Sequence, residues 1–525
     1  MTSPRTAGIT AAEAAGAVVL PLALAQFICS FAGSNMNVAI STIADDLGTS
    51  VTGIQTTITL FTLTMAALMI PGSKLTDIWG RKVCFIAGLV VYGAGALLAA
   101  VAQDVTTLTI GYSLLQGVGS ALLIPPIYIL VTVLFKEIRT RAKYFGVVIG
   151  AGGVGAAAGP LIGGLITSYI SWRASFLVQV LVVAAIALLA RRLTDPPLPA
   201  QRPTFDLLGA ILSAVGLFFV VFGILQTGTY GWFTAKQDFS VGGNVLVSQG
   251  GVSPVWIFVL IGLVVLAGFF VHVRSREKGG RTPLVSISLF GNRTSNLGLL
   301  TQNLQWLVLL GASFVISVYL QQERGYSAIE TGLVLLPATL GVLLASAAAQ
   351  RMAARHSQRR LIRMGFGGTV LGFALLALVR VDPTAVWPFI PGLFLMGVGV
   401  GIMLTASVNL VQSAWPEEVQ GDISGVSRSV SNLGSSLGVA IAGSLVAGAS
   451  GSFGKPFALA IGVLGVFALI GWVAALLLPH EGAAPLPPGA GGVSPPAGEV
   501  PPQTRRDAPR TGVPGRPRGT PGGRP

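Results

Sequence analysis

Three short stretches combine residue types and spacings that point to chemistry. Residues 150–164, GAGGVGAAAGPLIGG, hold seven glycines and one proline. Gly150 to Gly155 spell G-x-G-x-x-G, a pattern that cradles a dinucleotide pyrophosphate where it joins a strand to a helix. Residues 73–82, SKLTDIWGRK, set Asp77 just ahead of Gly80, Arg81 and Lys82. Such a carboxylate suits the positive end of a helix, and the guanidinium offers a fork to a partner carboxylate. Residues 421–438, GDISGVSRSVSNLGSSLG, place Asp422 six positions before Arg428. Six residues turn a helix by about 600°, leaving the two about 120° apart on different faces. Enzyme chemistry finds no support. Cys29 and Cys84 sit inside apolar runs, His272, His356 and His480 read as isolated polar surface, and no nucleophile–base pair or metal-ligating cluster stands out. No catalytic role, metal or cofactor is expected.

The elements that must position these residues are apolar. The chain has 525 residues, 52% hydrophobic and 10% charged, with a mean hydropathy of +0.76, whereas a soluble domain carries about 25% charged residues. Sixty-nine glycines agree with helices in lipid, where glycine is frequent. Windows of about 20 apolar residues predict fourteen spans near 16–41, 53–71, 83–102, 107–134, 144–169, 174–190, 207–228, 254–273, 296–319, 330–350, 361–379, 385–409, 424–449 and 456–478. The first, preceded by Arg5, is long enough to span and lacks a clear cleavage site, so it reads as a retained helix. The 150–164 stretch falls inside the fifth span, between RAKYFGVVI and LITSYIS. With no strand before it, the nucleotide reading fails.

Charge sets the expected orientation. Counting both termini on one side, the turns on that side carry 20 Lys and Arg and the opposite side five: Arg173, Lys236, Arg324, Arg380 and Lys455. The positive-inside rule then makes both termini cytoplasmic. The net charge of +14 is topological on this count, and no nucleic-acid partner is expected. The loop 229–253 is polar with no obvious fold of its own, and residues 479–525, rich in Pro, Gly and Arg, predict a disordered cytoplasmic tail.

Within the spans, Gly155, Gly159 and Gly163 recur every fourth residue and predict one bare helix face for close packing in lipid, while Pro160 predicts a bend. Candidates to line an internal cavity are Gln26, Asn35, Asn37, Gln116, Gln302, Asn303, Gln305, Trp306, Asn409 and Arg428. Amides in lipid need partners, so helix tying competes with a cavity role. Arg428 faces either that cavity, where it would attract an anionic group, or the cytoplasmic interface by snorkelling. Acidic residues fall at span edges and loops rather than well inside a span.

Two motifs resemble a known family. Gly155-x-x-x-Gly159-Pro160-x-x-Gly163-Gly164 resembles the fifth-span antiporter motif of the major facilitator superfamily, and Ser73, Asp77, Gly80, Arg81 and Lys82 resemble its cytoplasmic loop between the second and third spans, with Ser73 where glycine is usual. QRMAARHSQRR at 350–360 is a weaker echo of that loop in a second half. Fourteen spans, with FDLLGAILSAVGL at 205–217 and YLQQERGYSAIETGLVLLP at 319–337, resemble the fourteen-span drug:proton antiporter branch. The resemblance implies an all-α polytopic protein of the cell membrane: a cytoplasmic N-terminus 1–15, a six-helix bundle 16–192, an inserted helix pair 193–295, a second bundle 296–478 and the tail. It further implies a gate at residues 73–82 and export of small molecules by alternating access, driven by a proton gradient. An oligomer is not implied. Two departures bear on coupling: Ala32 stands where the branch often has an aspartate, and Ser113 where R-x-x-Q-G would put arginine. The alternatives are a carrier of a neutral or anionic metabolite or lipid without proton coupling, and a membrane sensor that does not transport.

Overall fold

The computed structural model describes residues 11–135, 138–191, 193, 204–241, 244–353, 355–378, 387–416, 419–446 and 454–479. The expected tail, apart from Pro479, lies outside the described residues, as do the first ten positions. Among the described residues thirteen helices are long and apolar enough to cross a membrane, and the fifth span supplies a fourteenth, bent by 41° between Tyr144–Ala156 and Ala158–Tyr169. Pro160 has no N–H for the carbonyl four residues back, Ala156, and the bend falls there.

The first six spans are Ala11–Asn35, Val51–Trp79, Arg81–Ala100, a segmented fourth from Val105 to Leu134, Ile138–Tyr169 and Trp172–Ala190. The last six are Arg293–Val318, Ala328–Met352, Gln358–Ala377, Phe389–Ser413, Gln420–Val446 and Gly454–Leu476. They form two bundles with matching internal packing. In the first bundle the first span packs on the fifth, the third on the fourth and the third on the sixth. Eight spans later the ninth packs on the thirteenth, the eleventh on the twelfth and the eleventh on the fourteenth. The bundles meet through two related contacts, second span on thirteenth and fifth on tenth.

Local signals explain the helix ends. Ser50, Asp104, Asn292 and Ser327 cap the second, fourth, ninth and tenth spans, and Ser327 forms a reciprocal box with Glu330. The second span runs on to Trp79, so Ser73 to Asp77 lie on its last two turns and not in a loop. Nothing before Gly80 breaks that helix, and Gly80, at φ +105°, makes the turn into the third span. The fourth span contains a π-helical stretch, Thr109–Gln116. There the third span comes so close that a Cβ on Gly111 would sit 2.7 Å from the Ala99 nitrogen.

The seventh and eighth spans, Leu207–Leu225 and Val255–Lys278, pack on each other, and the seventh also touches the second and thirteenth. Gly262 permits this approach: its Cβ would stand 2.7 Å from the Val220 nitrogen. Two expectations need correction here. The loop 229–253 is not structureless, because Phe239–Val241 pairs antiparallel with Asn244–Val247, alternating residues of the kind a short ribbon accepts. His272 is not isolated surface. Its Nε2 lies 2.9 Å from Oδ1 of Asp206, which is 2% exposed. Asp206 caps the seventh span through the Gly209 amide, accepts from the Leu284 amide at 3.2 Å and faces Arg276 at 3.6 Å. The pairing is between spans 66 residues apart in the chain, which no local pattern reveals.

Burial alone would raise the Asp206 carboxyl, yet the bonds from His272 and Gly209 and the Arg276 charge together hold it below the ordinary carboxylate range. Its contribution to stability is therefore complete above the unfolded value of about 3.9 and is lost as pH falls through the lower folded value. Asp206→Ala strands buried partners and should cost about 3–5 kcal/mol, read as a lower Tm in detergent, and the Tm advantage of the parent over the variant should shrink below about pH 4. On the fifth span, Gly155→Ala should lower Tm by overpacking, at about 1–3 kcal/mol. Gly150→Ala, with open space at its Cβ, should leave Tm unchanged.

Candidate functional site

A cavity of about 90 Å³ lies between the two bundles, lined from the first, second, fourth, fifth, ninth, twelfth and thirteenth spans. That is room for a handful of water molecules. Its polar feature is a chain of three side chains from three spans. The Tyr128 hydroxyl donates to Oε1 of Gln26 at 3.1 Å. Arg428 donates to that hydroxyl in turn, and its guanidinium carbon stands 4.4 Å from the centre of the Tyr128 ring, within cation–π range. Tyr128 belongs to the first bundle and Arg428 to the second, so the contact crosses the interface. Arg428 thus faces the cavity, one of its two open alternatives. Trp306, Phe61, Met65 and Leu310 supply apolar walls. An adjoining recess lined by Pro160, Leu335 and Val342 shares Trp306 and Leu404 with the cavity. Among the described residues no Asp or Glu lines either space.

Of the ten residues proposed for the cavity, Gln26, Trp306 and Arg428 line it. The remaining amides sit elsewhere. Asn35 donates to Ser175 and ties the first span to the sixth. Asn37 is fully buried in a 3₁₀ turn after the first span. Gln116 donates to Gln179 at 3.3 Å, beside the Tyr92 hydroxyl, which reaches the same oxygen at 2.8 Å. In the second bundle Ser427 donates to Gln302 at 2.7 Å, Asn303 donates to the Val430 carbonyl at 2.9 Å, and Ser407 donates to Gln305 at 3.1 Å. Asn409 is half-buried near the end of the twelfth span and does not line the cavity. Cys29 and Cys84 are buried, and Cys29 also borders the cavity.

The glycine face packs inward on the first span. A Cβ on Gly155 would collide with the Phe27 carbonyl, one on Gly159 with Ser34, and one on Gly163 would lie 2.9 Å from the Asn35 side chain. Gly164 points to the other bundle instead, 2.6 Å from the Ala328 carbonyl measured from its Cβ position. The motif therefore serves two surfaces, one within its bundle and one between bundles.

Contacts join the bundles at both ends of the interface. At the end bearing Asp77, Ser73 donates to the Gly421 carbonyl at 3.1 Å and Lys74 pairs with Asp422 at 2.6 Å. Asp77 Oδ2 lies 3.9 Å from the Cβ position of Gly421, in the first turn of the thirteenth span, and Arg81 stands 3.9 Å from Asp77. Lys82 donates to the Arg191 carbonyl, within its own bundle. Gly425, opposite Ser73, leaves only 3.1 Å between its Cβ position and that of the serine, so the bulk usually avoided at position 73 is offset across the contact. At the far end Gln321 accepts from the Ser41 amide at 3.0 Å and donates to the Asn37 carbonyl at 3.2 Å, while the Ile329 amide donates to Ser168 at 3.0 Å. Tyr128, Lys74 and Gln321 escaped the sequence reading as site residues, and Asp422 was read without its partner Lys74. Lys74 lay one turn before Asp77 within the quoted motif, and Tyr128 followed the Pro125-Pro126 pair; both signals were present but needed the opposite bundle to acquire meaning.

Comparison with known proteins bears on identity. The Major Facilitator Superfamily profile matches residues 22–290, 239–439 and 307–511. Puromycin resistance protein pur8 of Streptomyces alboniger is 30% identical over 82% of this chain and 81% of its own length. Cephamycin export protein CmcT of Amycolatopsis lactamdurans is 30% identical over 88% and 91%. The methylenomycin A resistance protein of Bacillus subtilis is 27% identical over 89% and 95%. Helices, bundle pairing and these matches agree: the chain belongs to the Major Facilitator Superfamily, as a multi-pass membrane transporter of the drug-efflux type.

Proposed function

We propose that this protein exports small organic molecules across the cell membrane by alternating access, with both termini cytoplasmic. Residues 16–192 and 296–478 act as the two rocking bodies, 193–295 as an inserted pair, and Ser73 to Lys82 with Lys74 and Asp422 as the cytoplasmic gate. One observation carries the proposal: the cavity lies between two bundles that touch each other near both of its ends. At about 90 Å³ it is small for a drug-sized molecule, and parting one set of those contacts would enlarge it. The small residues between the bundles, Gly164 on Ala328 and Gly332 on Pro160, suit such a movement, because they interlock without long side chains. The names of the relatives, which concern puromycin, cephamycin and methylenomycin A, support an organic, drug-like cargo.

Proton antiport is the coupling that the family resemblance implies. A second reading, transport without a proton relay, draws on the lining itself. The cavity has no carboxylate among the described residues, Ala32 is fully buried, and Ser113 spends its hydroxyl on the Thr57 carbonyl at 2.6 Å. An intramembrane acid is the usual proton carrier in such proteins, and neither position supplies one.

Access is tested with Ser431→Cys, a cavity position, in a background lacking Cys29 and Cys84. Cross-linking Ser73→Cys to Gly421→Cys should block an impermeant thiol reagent from the cytoplasmic side and leave reaction from the outside. Cross-linking Ser168→Cys to Ile329→Cys should do the reverse. Reaction from the same single compartment in both locked forms overturns alternating access. Coupling is tested in inverted vesicles with puromycin, cephamycin and methylenomycin A. For any compound taken up, dissipating the pH gradient should abolish uptake under antiport and leave it unchanged under the second reading.

A further inference from the structure

We infer that the cavity recognises an anionic group of its cargo through Arg428, positioned by Tyr128, so that the substrate class is amphipathic organic acids. This rests on the transport reading above and adds the chemistry of the ligand to it.

Three observations combine. First, Arg428 is a cation with no carboxylate partner among the described residues. The acid on its own helix, Asp422, is taken by Lys74 at 2.6 Å. Second, its recorded hydrogen bond goes to the Tyr128 hydroxyl, and the ring stacks against the guanidinium. Arginine carries five N–H donors and no acceptor, so one bond leaves most of the fork for a ligand, and a carboxylate or sulfonate fits that fork with two parallel bonds. Third, the neutral polar neighbours are already committed. Ser431 donates to the Ser427 carbonyl at 2.8 Å, Ser435 to the Ser431 carbonyl at 3.3 Å, and Asn432 to the Arg428 carbonyl at 3.0 Å. The unbalanced charge in the cavity is therefore positive.

Low-dielectric surroundings magnify that sign. A cationic cargo meets repulsion that no nearby acid offsets, while an anion repays the desolvation of Arg428. Trp306, Phe61, Met65 and Leu310 offer apolar walls in the same cavity, which favour an acid with an aromatic or aliphatic body over a small inorganic anion. Tyr128 acts as a positioning residue: its ring and hydroxyl hold the guanidinium in the cavity and oppose withdrawal to the interface. Export of an anion from a cell with a negative interior also moves charge down the membrane potential, so the group that Arg428 reads would itself supply driving force without a carboxylate relay.

The test measures the charge preference of the cavity directly. In the Ser431→Cys variant lacking native cysteines, rates of modification by anionic and cationic methanethiosulfonates are each normalised to the rate with a free thiol. The anionic reagent should react at least fivefold faster. Arg428→Gln should abolish the preference, Arg428→Lys should retain the sign, and Tyr128→Phe should weaken it. A normalised ratio below five in the parent overturns the proposal whether or not the Gln variant folds, as does a ratio unchanged in a folded Arg428→Gln. Failure of the transport reading is distinct: it shows as reaction from one compartment only, whatever the charge of the reagent.

Discussion

Close backbone contact between helices is the interaction on which this structure depends. Lipid tails are as apolar as leucine, so burying leucine against leucine contributes little between spans, and packing must come from approach and complementarity. Glycine supplies the approach at equivalent places. Gly155 meets the Phe27 carbonyl where the fifth span crosses the first, and Gly434 and Gly438 meet the Asn303 and Leu307 carbonyls where the thirteenth crosses the ninth. The repeat hinted at by residues 350–360 is therefore stronger in packing than in the loop motif that first suggested it. Between bundles the same device recurs with Gly164 on Ala328 and Gly332 on Pro160, each with 2.6 Å from the Cβ position to a carbonyl oxygen.

Polar groups divide by task. Amides inside each bundle mostly bond to a neighbour of the same bundle, as Asn35 does with Ser175, Gln116 with Gln179 and Gln305 with Ser407. A few cross between bundles: Gln55 to the Val439 carbonyl at 3.3 Å, Ser436 to the Thr59 carbonyl at 3.1 Å, and the contacts at the two ends. Each bundle is thus internally tied, and a limited set of bonds must break for the two to part. The seventh span joins this frame through the second and thirteenth spans, and the buried Asp206 cluster ties the seventh and eighth spans together.

The fold was legible because its signals are local. Apolar windows, caps and a proline state where each helix lies, and each of the fourteen expected spans meets a helix or, for the fifth, a bent one. The ends were less legible: the second span extends through Ser73 and Asp77 because only Gly80 stops it. The cavity was legible in part. Gln26, Trp306 and Arg428 announce themselves as polar or aromatic groups inside spans, but so do Asn35 and Gln302, and periodicity does not separate a group facing a cavity from one facing a neighbour. Pairings across hundreds of residues, such as Arg428 with Tyr128 or Lys74 with Asp422, follow from how bundles dock, which no stretch of sequence encodes alone. His272 shows the same limit, since its partner arrives from the preceding span.

The two ends of the interface differ in kind. One includes an ion pair, Lys74 with Asp422, whose side chains are about one-fifth exposed, whereas the bonds named at the other, around Gln321, Asn37, Ser41, Ser168 and Ile329, are between neutral groups. Dissolved electrolyte weakens the first kind to the extent of its solvent exposure and barely touches the second: the Debye length shrinks from about 8 Å under physiological conditions to about 3 Å in molar salt, and partly buried pairs are screened less than exposed ones. If the bundles part as proposed, added salt would act on one end alone, loosening the charged latch and sparing the neutral one.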